Sequence, residues 1–128
     1  QIHFRKRKIL VVDDVSMNRK ILNQTLIPLG AEILEASDGK AAYNMYKANI
    51  PDVILMDVQM PILDGFEASK AIRKYELEHN LSPCPIIAIS ANAERRECLS
   101  VGMNDHLSKP VRSDELSLAV YFMLEYST

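Results

Sequence analysis

The chain has 128 residues, 48% of them hydrophobic and 25% charged, enough for one domain with an ordinary core and too apolar for a disordered segment. Its formal net charge of −2 argues against a general nucleic-acid binder, which would carry a basic excess. No apolar run reaches the length of a membrane span. The 2 cysteines, Cys84 and Cys98, show neither CxxC spacing nor a neighbouring His pair, which argues against zinc and suits two buried or idle thiols of a cytosolic protein. His3 and His79 read as solvated. The chain begins at Gln1, with neither an initiator Met nor a signal peptide, and is expected to be a piece of a longer protein.

In chain order, Arg5, Lys6, Arg7 and Lys8 form an isolated basic run that reads as a linker end rather than a nucleic-acid patch. Ile9–Asp13 reads as an apolar strand. Ser16–Leu29 reads as a helix with Met17, Ile21, Leu22, Leu26 and Leu29 on its inner side, ended by Gly30. Ala31–Ala36 is a short strand. Ser37 and Asp38 are candidate caps for a helix that faces Ala41, Ala42, Met45 and Tyr46 inward. Pro51 opens the strand "PDVILMD". From Asp64 to about His79 a helix presents Ala68, Ala71, Ile72 and Tyr75 at helical spacing. The strand "IIAIS" follows a loop with Pro83 and Pro85, and a short helix over Glu94–Val101 ends at Gly102. "DHLSKP" is a short strand closed by proline. The last helix starts from a Ser113 cap, with Asp114 and Glu115 in its first turn and Leu116, Ala119, Val120 and Met123 inside.

Strands and helices alternate throughout. That pattern predicts an α/β fold, a doubly wound parallel sheet of (βα)5 type with helices on both faces, and the flavodoxin-like strand order 2-1-3-4-5. In such sheets ligands bind beyond the carboxyl ends of the strands. The first strand ends at Asp13 and Asp14, the third at Asp57, the fourth at Ser90 and the fifth at Lys109. Carboxylates gathered there repel, by about 4 kcal/mol per pair at 4 Å and an effective dielectric of 20. Lys109 offsets one charge, and a divalent cation would balance the rest. An all-oxygen set with few carboxylates suits Mg²⁺, which favours phosphate oxygens. Each residue has a simpler reading alone: Asp14 could cap the next helix, and a serine or a Lys-Pro pair means little. Their joint placement is the specific signal. Phosphoryl transfer to a carboxylate fits it: Asp57 as nucleophile on the central strand, with cation, Lys109 and Ser90 neutralising the phosphoryl oxygens.

The stretches "VVDD", "ILMDVQMPILDGFEA", "IIAISANA" and "GMNDHLSKPV" resemble the receiver domain of two-component response regulators, over about residues 8–126. Residues 1–7 are then the basic linker end and 127–128 a tail. The resemblance implies that Asp57 accepts a phosphoryl group from a phosphohistidine. Asp14 and Asp57 would ligate Mg²⁺ directly with the backbone carbonyl of Gln59, and Asp13 would hold it through water. It further implies that Ser90 and Lys109 bind phosphoryl oxygens, and that the bond before Pro110 is cis. "SANA" with "GMNDHLSKP" is more similar to receivers of hybrid sensor histidine kinases. The implied partners are a histidine kinase core, in the same polypeptide, a histidine phosphotransfer protein, or both. Nucleic acid and membrane contact are not implied; the domain would be cytoplasmic, a monomer or weak dimer.

The chain departs from the family pattern at two places. His106 stands where the family has Tyr or Phe, the aromatic that swings inward when Ser90 moves. Either the switch is weaker, or it responds to pH, or the ring contacts a partner; a surface-leaning His at a tolerant position is the plainer alternative. The step of 19 residues from Ser90 to Lys109 is a few short of the family pattern, which leaves the fourth helix, "AERRECLSVG", short and thin on its apolar face. A pseudo-receiver that works as an interaction module without phosphorylation shares the fold but typically loses acidic or lysine groups of the pocket. A phosphatase of the haloacid dehalogenase type would carry Asp where Gln59 stands. A flavodoxin would need a Ser/Thr/Gly-rich loop in place of "DDVSMNR".

Overall fold

The computed structural model describes residues 2–126, so the expected tail at 127–128 lies outside the described residues. The strands are β1 (Lys8–Val12), β2 (Glu32–Ala36), β3 (Val53–Asp57), β4 (Ile86–Ser90) and β5 (Asp105–Ser108). The helices between and after them are α1 (Ser16–Leu26), α2 (Gly39–Asn49), α3 (Gly65–Glu78), α4 (Arg95–Ser100) and α5 (Ser113–Tyr126). All strand pairs are parallel, and the order is β2-β1-β3-β4-β5, as the alternation predicts. The fully apolar runs of β1, β3 and β4 lie inside the sheet and are buried on both faces, whereas β2, with Glu32 and Glu35, takes the edge.

The helices form two layers. Leu22 and Leu26 of α1 join Leu116, Val120 and Met123 of α5 on one face of the sheet. Ala42 and Tyr46 of α2, Ala68 and Ile72 of α3 and Cys98 of α4 cover the other. α1 stops at Leu26 rather than Leu29, because Pro28 has no N–H to donate to the preceding turn. The chain tightens into a 3-10 turn over Ile27–Leu29 and leaves it through Gly30 at φ +93°.

Met17 and Ile21 do not join the core as the apolar spacing suggests; they are 59% and 51% exposed. The buried stripe is Leu22 and Leu26. Met17 and Ile21 form a second i, i+4 stripe about 100° around the helix, facing outward. The basic N-terminal segment is also more than a linker end. Phe4 is buried in the core cluster shared by α1 and α5, its N–H donates to Leu29 O (2.7 Å), and Lys6 N–H donates to Gly30 O (2.7 Å). His3 and His79 are exposed, the latter stacked on Tyr75, and both cysteines are buried and unpaired.

A buried polar cluster joins α2, α3 and the entry to β4. Glu76, 3% exposed, accepts hydrogen bonds from the Tyr46 hydroxyl (2.9 Å), the Cys84 N–H (2.7 Å) and Arg73 Nη1 (2.7 Å). The same Arg73 donates through Nε to Gly102 O (2.9 Å) and through Nη2 to Asn104 Oδ1 (2.9 Å), fastening the α4–β5 turn to α3. Burial, then the Glu76 charge, pushes the Cys84 thiol up to about 12; burial and Glu76 raise the Tyr46 phenol as well. α4 is 6 residues long with a Glu94–Glu97 capping box, and Cys98 is its buried residue, in line with the thin face expected of it.

Candidate functional site

Parallel strands bring their carboxyl ends to one edge of the sheet, and four of them deliver chemistry there. Asp13 follows β1, Asp57 and Ser90 close β3 and β4, and Lys109 follows β5. Asp13, Asp57 and Ser90 are 2%, 4% and 2% exposed, while Asp14 faces solvent. Carboxylate oxygens of Asp13, Asp14 and Asp57 all lie within 4.8 Å of one another. Lys109 Nζ reaches Asp13 Oδ2 at 3.2 Å and Asp57 Oδ1 at 3.4 Å.

Each acid is held differently. Asp13 Oδ1 accepts from the Val15 N–H (2.9 Å) and Asn18 Nδ2 (3.3 Å), which turns the chain from β1 into α1. The helix cap position falls on Val15, so Asp14 is not the cap, and among the described residues no hydrogen-bond donor engages its carboxylate. Burial, then the Asp13 charge, raises the Asp57 carboxyl above its ordinary value; Lys109 and the Gln59 N–H oppose the shift. Partial burial pulls the Lys109 ammonium down, but Asp57 and Asp13 outweigh it and the net shift is upward.

The loop after β3 folds tightly back over Asp57. Gly65 N–H donates to Val58 O (2.9 Å), and a Cβ on Gly65 would meet Asp57 O at 2.3 Å. Glycine is required there by close approach of backbone to backbone. Ser90 Oγ accepts from the Asn92 N–H (3.1 Å) and the Ala93 N–H (2.9 Å). Both lone pairs are in use and the O–H proton remains to be donated. The Lys109–Pro110 peptide is cis.

His106 pairs in register with Ala88, which puts its ring on the α4 side of the sheet. It is half-buried rather than surface-leaning, and its Nε2 is buried without a hydrogen-bond partner. Helices cover both faces of the sheet, so alternation along β5 turns His106 toward the α4 layer and Leu107 toward the α1 and α5 layer.

Two residues of the site escape a reading of motifs. Asn18 and Arg19, one turn into α1, bond to the side chain and the main chain of Asp13 respectively. Helical geometry over the strand–helix turn was the available signal. Beside them a cleft of about 340 Å³ opens between α1 and the turn after β5, lined by Asp13, Ile21, Leu22, Lys109, Pro110 and Val111. As a donor set, clustered carboxylates with one engaged by nothing else fit a hard divalent cation such as Mg²⁺.

Residues 9–121 match the family Response regulator receiver domain. Over 119 residues the chain is 40% identical to the Sensor protein GacS of Pseudomonas syringae pv. syringae, covering 91% of this chain and 13% of that protein. It is 42% identical over 118 residues to the Sensor histidine kinase RcsC of Salmonella typhi, covering 88% of this chain and 12% of that protein. The chain thus spans a small part of the curated relatives it matches, corresponding to the receiver region of hybrid sensor kinases. Among solved structures, it superposes on a chain from the complex of the Saccharomyces cerevisiae phosphotransfer protein Ypd1 with the receiver domain of Ssk1. The TM-score is 0.86 at 33% identity, over 91% of this chain and 88% of that one. The receiver domain of sensor histidine kinase PA1611 from Pseudomonas aeruginosa, solved with magnesium in its active-site cleft, gives 0.82 at 35% identity over 92% and 97%. With the parallel sheet in order 2-1-3-4-5 and the acidic cluster at its carboxyl edge, the chain belongs to the response regulator receiver domains of two-component signalling.

Proposed function

We propose that Asp57 is the phosphoacceptor of an Mg²⁺-dependent phosphorelay and that this receiver works within a hybrid sensor histidine kinase. The observation that carries the reading is the state of Asp57: a buried carboxylate at the end of the central strand, flanked by Asp13 and Lys109, with the unengaged Asp14 beside it. Asp14 and Asp57, with the Gln59 carbonyl, would hold the cation, and Asp13 would do so through water. When bound, the cation supplies positive charge to the phosphoryl oxygens, the chief requirement of phosphoryl transfer.

The steps of the chain's own residues follow. An oxygen of Asp57 bonds to phosphorus as the bond from phosphorus to the donor histidine nitrogen breaks, and that nitrogen keeps the electron pair. Lys109, already between Asp13 and Asp57, pairs with one phosphoryl oxygen. Ser90 donates its free proton to another without giving up the bonds it accepts. That new bond draws the loop after β4 toward Asp57 and favours a state in which α4, β5 and the His106 ring are rearranged. A ligand shifts such an equilibrium only by its differential affinity for the two states, and the Ser90–phosphoryl bond is that difference.

The phosphoryl donor or acceptor partner is a histidine phosphotransfer protein or a kinase core. Support comes from the Ypd1–Ssk1 complex among the similar structures, and from exposed Ile21, which lines the cleft beside Asp13 and Lys109. Incubation with Mg²⁺ and acetyl phosphate, read by intact mass, tests the site. The wild type gains one phosphoryl group and Asp57→Asn gains none; uptake by D57N at the wild-type rate would refute the acceptor assignment. No uptake by the wild type and no response to Mg²⁺ would favour an interaction module that works without phosphorylation.

A further inference from the structure

Asp14 is the acid of the cluster that, among the described residues, no side chain aims. Its orientation is set by the main chain alone, and that main chain is clamped. The Asp13 N–H donates to Ala36 O of the edge strand at 3.2 Å. The Asp13 carbonyl, part of the peptide unit that carries the Asp14 nitrogen, accepts from Arg19 Nη1 at 2.7 Å. Arg19 is itself fixed from the other end, since its Nε donates to Glu35 Oε1 of β2 at 2.8 Å. The guanidinium therefore bridges α1, the edge strand and the peptide between Asp13 and Asp14. Its two donors point at two acceptors in the planar arrangement that only arginine offers.

We infer that Arg19 is a positioning residue that sets the cation affinity of the acidic cluster by locking the Asp13–Asp14 peptide, an inference that rests on the proposed role of Asp14 as a cation ligand. Electrostatics and positioning make opposite forecasts. Arg19 is a positive charge close to a cation site, so by charge alone its removal strengthens Mg²⁺ binding. If its work is to hold the peptide plane, removal leaves Asp14 free to swing and binding weakens. Groups that orient metal ligands from behind typically change affinity by about 10- to 100-fold when removed.

The experiment is a Mg²⁺ titration of the ¹⁵N-labelled chain, without phosphodonor, for wild type, Arg19→Met and Arg19→Lys. Arg19→Met is expected to bind at least about tenfold more weakly, with the Asp14 amide signal displaced already in the metal-free protein and the signals of β3 and β4 in place. Arg19→Lys keeps the charge but offers one ammonium in place of the fork, and is expected to fall between the two. Affinity in Arg19→Met equal to or tighter than wild type overturns the inference. Should Arg19→Met fail to fold, wild-type affinity in Arg19→Lys overturns it instead. Absence of Mg²⁺ binding by the wild type is a different outcome and refutes the proposed cation site itself.

Discussion

Asp57→Asn is expected to make the metal-free protein more stable while abolishing the phosphoryl uptake proposed for it. At an effective dielectric of 20, the Asp13 carboxylate placed at the outer limit of 4.8 Å repels Asp57 by about 3.5 kcal/mol, and Lys109 at 3.4 Å attracts it by about 5 kcal/mol. Asp14 is exposed, so its repulsion is screened to about 1 kcal/mol or less. The charge contributions nearly cancel, and desolvation of a buried carboxylate decides the sign. That penalty is several kcal/mol for a fully enclosed ion and smaller in a pocket open at its mouth, leaving a gain of about 2 kcal/mol for D57N. With an unfolding entropy of about 2.1 cal/mol/K per residue, Tm rises by roughly 7 °C. The pH dependence has a fixed direction. Asp57 is raised in the folded state, so the native protein binds that proton more tightly than the unfolded chain. The destabilisation is full above the folded pKa and disappears below the unfolded value, near 3.8. Thermal unfolding followed by circular dichroism in EDTA should therefore show the gap between D57N and wild type at pH 7.5 and its closure toward pH 4. Equal or lower stability of D57N at pH 7.5 would mean that the Lys109 contact, rather than desolvation, dominates at Asp57.

Arg73→Met leaves the buried Glu76 carboxylate without its cation and frees Gly102 O and Asn104; a loss of about 3 kcal/mol, or roughly 11 °C in Tm, is expected by calorimetry. Ile62 sits at φ +71° in a three-residue turn closed by Leu63 N–H to Pro61 O, and its side chain is 79% exposed. A β-branched residue in the left-handed region is strained, so Ile62→Asn should stabilise by about 1 kcal/mol in urea unfolding. The thiols of Cys84 and Cys98 are buried and raised by that burial, so in native buffer a disulfide reagent should label them only as fast as the protein opens, and at once in denaturant.

The parts of the site legible in the sequence are those whose position is dictated by a strand end. Continuous apolar runs announce strands buried on both faces, and whatever ends or follows them lands at one edge; Asp13, Asp57 and Ser90 are of this kind, while Lys109 follows the short, polar β5 and is marked instead by the proline after it. What spacing could not decide is which apolar stripe faces the core. α1 carries two, and only packing against α5 distinguishes Leu22 and Leu26 from the exposed Met17 and Ile21. Phe4 was hidden by the basic residues after it. The polar clamps depend on partners remote in sequence: Arg19 needs Glu35, and Glu76 needs Tyr46 and the Cys84 N–H. Glu76 did leave a trace, since it continues the buried 68, 72 stripe of α3 by another four residues, where a lone charge calls for a partner.

The site's ends also meet across nearly the whole chain: Asp13 and Lys109 are 96 residues apart. During synthesis the acidic cluster is therefore drafted long before its counter-charge exists. A chain that has emerged only as far as β4 carries three carboxylates at the sheet edge and no lysine to hold two of them together. Docking of β5 and the turn after it brings Lys109 to the cluster, so a chain trimmed before β5 would hold Asp13 and Asp57 side by side without the ammonium that pairs with both. The connectivity thus leaves the balance of charge at this edge waiting on the last strand of the sheet.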